Sequence, residues 1–281
     1  MIRSRLLALL GATLLVAGCA GPATPSSPSP ESAVASSIAT PSPVSATPDL
    51  VAATPAPSPT CEPTPGPTGS TGLPLLGNGP LCPGDYQLVP GENGWDACYD
   101  ENTDCVETPG SKTISLTLTL RSEWEGVFEG ISIFPGPPRS FRPPDGMDIL
   151  VMAGGYLHED PCLQVMHAMP MIPVDPTSVD SFVDALVAHP LLDVSEPRAI
   201  TLGGFNGKYL ELTAPEDLSD CVAYRPWEPG LYAQGPLNRW RLWVVDVDGT
   251  RMTIMGWDFP GTPESDRAEL EAIVNSIRFV P

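Results

Sequence analysis

The chain has 281 residues, with 14 Lys and Arg against 34 Asp and Glu and a formal net charge of −20. Between Cys19 and Ser111 it contains no Lys or Arg, so no basic groove forms there, which excludes nucleic acid as an expected partner and makes anionic membrane surfaces poor ones. The acidic balance implies a well-solvated surface and selects no ligand by itself.

Arg3 and Arg5 precede an apolar stretch at 6–15, too short for a bilayer core that needs about twenty residues. Residues 1–18 therefore read as a signal peptide. They lead into Val16-Ala17-Gly18-Cys19, which resembles the lipobox of bacterial lipoproteins. The resemblance implies cleavage before Cys19, a thioether-linked diacylglycerol on its thiol, and acyl chains such as palmitate. Two or three such chains on one residue anchor stably, whereas one binds only reversibly. The expected location is the cell membrane, lipid-anchored on its extracytoplasmic side. Removing residues 1–18 leaves 12 basic and 34 acidic residues, a net charge of −22.

Residues 19–75 are dominated by Pro, Ser, Thr and Ala. With almost nothing large and apolar to bury they do not offset the entropy of ordering, and they read as a disordered tether with polyproline stretches. Residues 76–281 gain Trp, Ile, Val and Leu in periodic patterns and read as one extracytoplasmic domain.

Within that domain, residues 113–120 alternate strictly, with Ile114, Leu116, Leu118 and Leu120 on one face, the period of a half-buried strand in an antiparallel sheet. Further strands are expected at 130–134, 148–153 and 162–169. A first helix is capped by Thr177 or Ser178 and carries the stripe Val179, Phe182, Val183, Leu186 and Val187 before Pro190 ends it. Residues 199–202 and 208–212 flank a turn-rich connection at 203–207, a hairpin with a longer loop. Residues 240–247 and 250–257 flank Asp248-Gly249, the pair a type I′ turn favours. A closing helix opens with Thr262 as cap and Pro263 in its first turn, and directs Leu270, Ile273, Val274 and Ile277 inward. One apolar sheet face and two amphipathic helices give an α+β fold with the helices packed on the sheet.

Six cysteines remain besides Cys19. An even number in an exported chain reads as disulfides, with fifteen connectivities open. Cys162 and Cys221, each just beyond an expected strand, are the first pairing; Cys98 with Cys105 closes a local loop, which leaves Cys61 with Cys82.

Several segments resemble, in order, a family of uncharacterised exported lipoproteins from GC-rich bacteria: Thr117-Leu118-Thr119-Leu120, Trp124-Glu125-Gly126, Asp160-Pro161-Cys162, Val194-Ser195-Glu196-Pro197, 202–210 (LGGFNGKYL), 243–249 (WVVDVDG) and Ile273-Val274-Asn275-Ser276-Ile277. The match covers about residues 110–281. The order of elements is also similar to the Mog1/PsbP-like α/β/α sandwich. Neither resemblance implies a catalytic residue or an assigned activity.

No GxSxG nucleophile turn occurs. Gly110-Ser111-Lys112-Thr113 lacks the upstream glycine of a phosphate-binding loop. Asp100, Asn102 and Asp104 have the oxygen spacing of a calcium loop, but Cys105 and Ser111 stand where its glycine and glutamate belong. His158, Glu159, Asp160 and His167 lack the further partners a four-coordinate metal needs. No metal and no cofactor is expected. The aromatic set Trp227, Tyr232, Trp240, Trp243 and Trp257, interleaved with Arg225, Arg239 and Arg241, suits stacking on a sugar, an aromatic ligand or a protein partner; the alternative is that these rings fill the core and clamp loops of a two-sided sheet. Trp240 and Trp243 lie on opposite faces of one strand, so they enter different layers. The expectation is a non-enzymatic binding or accessory lipoprotein of the cell envelope. Its partners would be the bilayer through Cys19 and a cell-wall glycan or envelope protein. The alternatives are a hydrolase using paired carboxylates from Glu211, Asp246 and Asp258, and a purely structural envelope protein. The oligomeric state is not encoded in any feature of the sequence.

Overall fold

The computed structural model describes residues 61, 67–90, 108–128, 132–164, 170–228, 230 and 232–280. The chain divides into two units, Met1–Ala56 and Pro57–Pro281, and every described residue belongs to the second. Cys19, the signal peptide, Cys98, Cys105, the calcium-loop candidates and His167 lie outside the described residues.

In chain order the strands are β1 (Gly79–Leu81), β2 (Gly84–Leu88), β3 (Ser115–Leu120), β4 (Trp124–Val127), β5 (Ser132–Pro135), β6 (Met147–Ala153), β7 (Tyr156–His158), β8 (Cys162–Leu163) and β9 (Met171–Ile172). Helix α1 (Val179–Ala188) follows, then β10 (Asp193–Val194), β11 (Arg198–Leu202), β12 (Phe205–Thr213), β13 (Ala223–Tyr224), β14 (Trp227–Glu228), β15 (Arg239–Val247) and β16 (Thr250–Asp258). The chain closes with α2 (Glu264–Ser276) and β17 (Arg278–Val280).

Among the described residues nine strands form one sheet in the order β1-β4-β5-β6-β16-β15-β12-β10, with β11 also on β12. All its pairings are antiparallel. Three smaller sheets join β17-β3-β2, β14-β7-β9 and β13-β8. The fold is α+β, mostly antiparallel sheet with two helices among the described residues.

The expected single apolar sheet face is corrected. Strands β6 and β16 are buried at every position, because each face of the sheet meets a core of its own. On one face, Ile149, Val151, Met252 and Ile254 pack with Leu270, Ile273 and Val274 of α2 and with Leu116, Leu118 and Leu120 of β3. On the other, Leu150, Leu210, Leu242, Met255 and Trp257 pack with Phe182, Val183 and Leu186 of α1 and with Trp227 and Tyr224. The strictly alternating strand β3 belongs to a small outer sheet, since period-two polarity marks a strand with one wet face. Gly256 lets α2 approach closely: a Cβ there would stand 2.9 Å from a Leu270 methyl.

Ser178 caps α1, accepting from Ser181 N at 3.1 Å. Thr262 does not cap α2. Its hydroxyl accepts from Phe259 N and donates to Gly146 O, both at 2.9 Å, and Pro263 occupies the N-cap. The 199–212 hairpin is tighter than expected: Leu202 pairs with Phe205 across Gly203-Gly204, whose φ values are 59° and 96°. Asp248 and Gly249 both have positive φ, as a type I′ turn requires. Disulfides join Cys61 to Cys82 and Cys162 to Cys221, with Cα atoms 5.6 Å and 5.0 Å apart. Residues 67–75, read from composition as tether, are hydrogen bonded to β2 through Pro74 O, and Leu76 just after them bonds to it as well.

Candidate functional site

The expected aromatic face is corrected first. Trp227, Trp240 and Trp257 are buried in the α1-side core. Trp240 lies opposite Trp257 in the β15–β16 pair, meets Trp227 edge-on at 5.6 Å and stacks with Tyr224 at 6.2 Å. These side chains pack the protein because β7, β13 and β14 contribute to the same core, and Cys162–Cys221 ties β8 to the residues just before β13. Tyr232 alone of the set is exposed, at 41%. Trp243 points to the α2 side, as the strand period requires, and meets Tyr209 at 5.1 Å.

The arginines expected beside the aromatic residues form a different assembly. Asp258 ends β16 fully buried on the α2 side and accepts from three guanidinium groups. Arg239 Nε donates to its Oδ1 at 2.7 Å and the Arg239 terminal nitrogen to Oδ2. Arg241 and Arg267 also reach Oδ2, at 3.2 Å and 2.7 Å. Arg241 continues to Glu271 of α2 at 2.7 Å, and Arg267 donates to Phe259 O at 2.9 Å. The hydrogen bond to Asp258 holds the Arg239 guanidinium above its ordinary pKa.

At the rim, Glu211 Oε2 lies 3.9 Å from Arg239, and Glu211 Oε1 accepts from the Tyr209 hydroxyl. Burial, then the Glu211 acceptor, pushes the Tyr209 phenol well above its ordinary value. The Arg198 guanidinium lies over the Tyr209 ring at 4.6 Å. Strand order explains the grouping: Glu211 opposes Arg241 and Arg239 opposes Asp258, so alternate residues of three adjacent strands share one face.

This arrangement suits recognition better than proton transfer. Asp258 has both oxygens occupied and buried. Asp246 accepts from Gly249 N at 2.7 Å and shapes the hairpin turn. Its cross-strand partner Arg251 is seven residues from Asp258 on β16, roughly 23 Å of strand, so Asp246 and Asp258 cannot flank one bond. The partly exposed groups are Arg239 (31%) and Glu211 (34%), with Arg198 outermost.

Sequence reasoning named Arg239, Arg241, Trp243, Glu211 and Asp258 separately, and missed Tyr209, Arg198, Arg267 and Glu271. The available signals were the i, i+2 spacing of Tyr209 and Glu211 and the i, i+4 spacing of Arg267 and Glu271. Arg225 is elsewhere, buried with Glu228 and Gly230 O. His158 is buried 3.5 Å from Glu228, and among the described residues no three His, Cys, Asp or Glu side chains converge as metal ligands.

No family model and no curated protein sequence matches the chain. Among solved structures, a crystal structure from Bacteroides thetaiotaomicron VPI-5482 aligns with a TM-score of 0.31 and 11% identity, over 59% of this chain and 45% of that chain. Less than half of that protein is thus spanned.

Proposed function

We propose that this chain is a lipid-anchored, extracytoplasmic binding or accessory protein of the cell envelope, without catalytic activity, that recognises its partner at the rim formed by Arg198, Glu211 and Arg239, above the buried Tyr209 and Trp243. The observation that carries the site is the contrast within one cluster: a fully buried Asp258 holds three guanidinium groups in place, and one of them, Arg239, together with Glu211 3.9 Å away, is still partly exposed to solvent. Charged groups held in place in this way bind a charged or planar partner at low entropic cost. Envelope glycans and envelope proteins are the partners such a rim fits.

The anchor rests on Arg3, Arg5, the apolar stretch and Cys19, and two disulfides agree with an oxidising compartment. The Mog1/PsbP-like sandwich, and kinship with the exported lipoproteins that share its motifs, belong to the same proposal; α1 and α2 on opposite faces of the sheet support the former. Burial of Asp258 among three guanidinium groups and the role of Asp246 in the hairpin turn weigh against the hydrolase alternative.

The test has two arms. Mass spectrometry of the native protein should find acylated Cys19 at the mature amino terminus, and Cys19→Ala should move the protein to the soluble fraction. A bare Cys19 ends the anchor reading. Envelope extract should yield a partner whose retention falls in Arg198→Ala and Arg239→Ala proteins and survives Tyr232→Ala; equal retention by all three removes the site.

A further inference from the structure

Among the described residues, strand β2 is an edge of its three-stranded sheet, with a strand, β3, on one side only. An open edge presents unpaired N–H and C=O groups to any extended chain that meets it, including a second copy of the same protein. In β2, Gly84, Tyr86 and Leu88 alternate with Asp85 and Gln87. Gln87 directs both backbone groups outward: its N–H donates to Pro74 O at 2.9 Å, and its C=O accepts from Leu76 N at 2.8 Å. Leu75 is thereby bridged to Gln87 in parallel. The other outward position, Asp85, is exposed and places charge on the edge.

The segment that covers this edge comes from the compositionally tether-like stretch, and it is latched. Its own turn is closed by Gly69 N to Leu73 O at 2.8 Å and Leu75 N to Pro67 O at 3.0 Å. The fully buried Gln87 side chain then grips it. Oε1 accepts from Thr71 N and Thr71 Oγ1 at 3.0 Å and 2.7 Å, while Nε2 donates to Ser70 Oγ at 3.0 Å and to Ser115 Oγ of β3 at 3.2 Å. Gly69 sits so close that a Cβ would fall 2.2 Å from Gln87 Oε1 and 2.8 Å from a Leu75 methyl. Upstream, Cys61–Cys82 ties the chain to the residue two positions before β2.

We propose that residues 67–76 are an intramolecular guard strand: they occupy the place on β2 that a second copy of this chain would otherwise take, and the Gln87 amide and the Cys61–Cys82 disulfide hold them there. A domain concentrated on a surface by its tether is thereby kept from pairing edge to edge. The proposal stands apart from the rim assigned above, since its residues and its readout are different.

Gly69→Val, Cys61→Ser/Cys82→Ser and their combination would be made in the full chain, with Thr71→Val as a milder release should the combination fold poorly. Protection of the Leu242 and Ile254 amides reports that the main sheet is intact. Amide exchange at Leu76 and Gln87 should accelerate roughly tenfold or more in the released proteins. Sedimentation should show a concentration-dependent dimer that the parent protein does not form. Unchanged exchange at those two amides overturns the latch, and fast exchange in a protein that stays monomeric at every concentration overturns the guarding role.

Discussion

Two buried carboxylates on the main sheet show how surroundings decide the role of one side-chain type. Asp258 receives three guanidinium groups and is held as the centre of a charge network. Asp148 of β6 is met by the Ser132 hydroxyl, at 3.0 Å from each oxygen, and by the Ile149 backbone, and by no guanidinium among the described residues. Burial therefore dominates, and pushes its carboxyl well above the usual carboxylate range against both hydrogen bonds. A raised folded-state pKa means that Asp148 contributes stability fully below its unfolded value near 3.8, and that this contribution is lost as pH rises through the folded value. Asp148→Asn removes the titration while keeping an acceptor for Ser132. The variant should equal or exceed the parent in urea midpoint at pH 7, and the difference should shrink toward pH 4. A pH-independent difference would show that Asp148 does not titrate in this way.

At the scale of elements, α1 is fixed by a side chain on the sheet. Arg251 of β16, fully buried, donates to Asp175 O at 2.7 Å, Ser178 O at 3.2 Å and Gly155 O at 3.1 Å, with its guanidinium 4.5 Å over Phe182. Burial draws its pKa down to about 10, opposed by the charge of Asp175. A planar fork spans three carbonyls and a ring; a lysine ammonium keeps the charge and loses that geometry. Arg251→Lys should cost about 1–3 kcal/mol by denaturant titration and should speed amide exchange at Ser181 and Phe182 more than at Ile273 of α2. Equal effects on both helices would mean that Arg251 supports the sheet in general.

For the molecule as a whole, the two-sided sheet divides the core, and the Cys162–Cys221 disulfide belongs to one side. It closes a separation of 59 residues beside β8 and β13, for which chain entropy gives about 4 kcal/mol. Cys162→Ser/Cys221→Ser should therefore lower stability by up to that amount. Amides of β13 and β14 should lose protection before those of β3 and β17. Simultaneous loss would show that both cores open as one unit.

Local pattern was enough to place much of this. Asp248-Gly249 closes its hairpin because only residues tolerant of positive φ fit there, Ser178 caps α1, and alternation marks β3. Short strands such as β7, β13 and β14 carry too few residues for any period to show, so the cover they form over Trp227 and Trp240 was not legible and those rings read as a surface. Residues 67–75 read as tether because composition reports only what a segment can bury, whereas their order comes from a Gln87 side chain more than ten positions away.

The amino-acid sequence by itself determined the antiparallel α+β character, the hairpins and both helices, since these follow from periodicity and turn stereochemistry within a few residues of each other. Which face of the sheet each tryptophan fills, which carboxylate meets three arginines and which segment covers β2 were decided only in the tertiary structure. Those outcomes depend on strand order and register, which bring together residues far apart in the chain, and no local pattern carries that information.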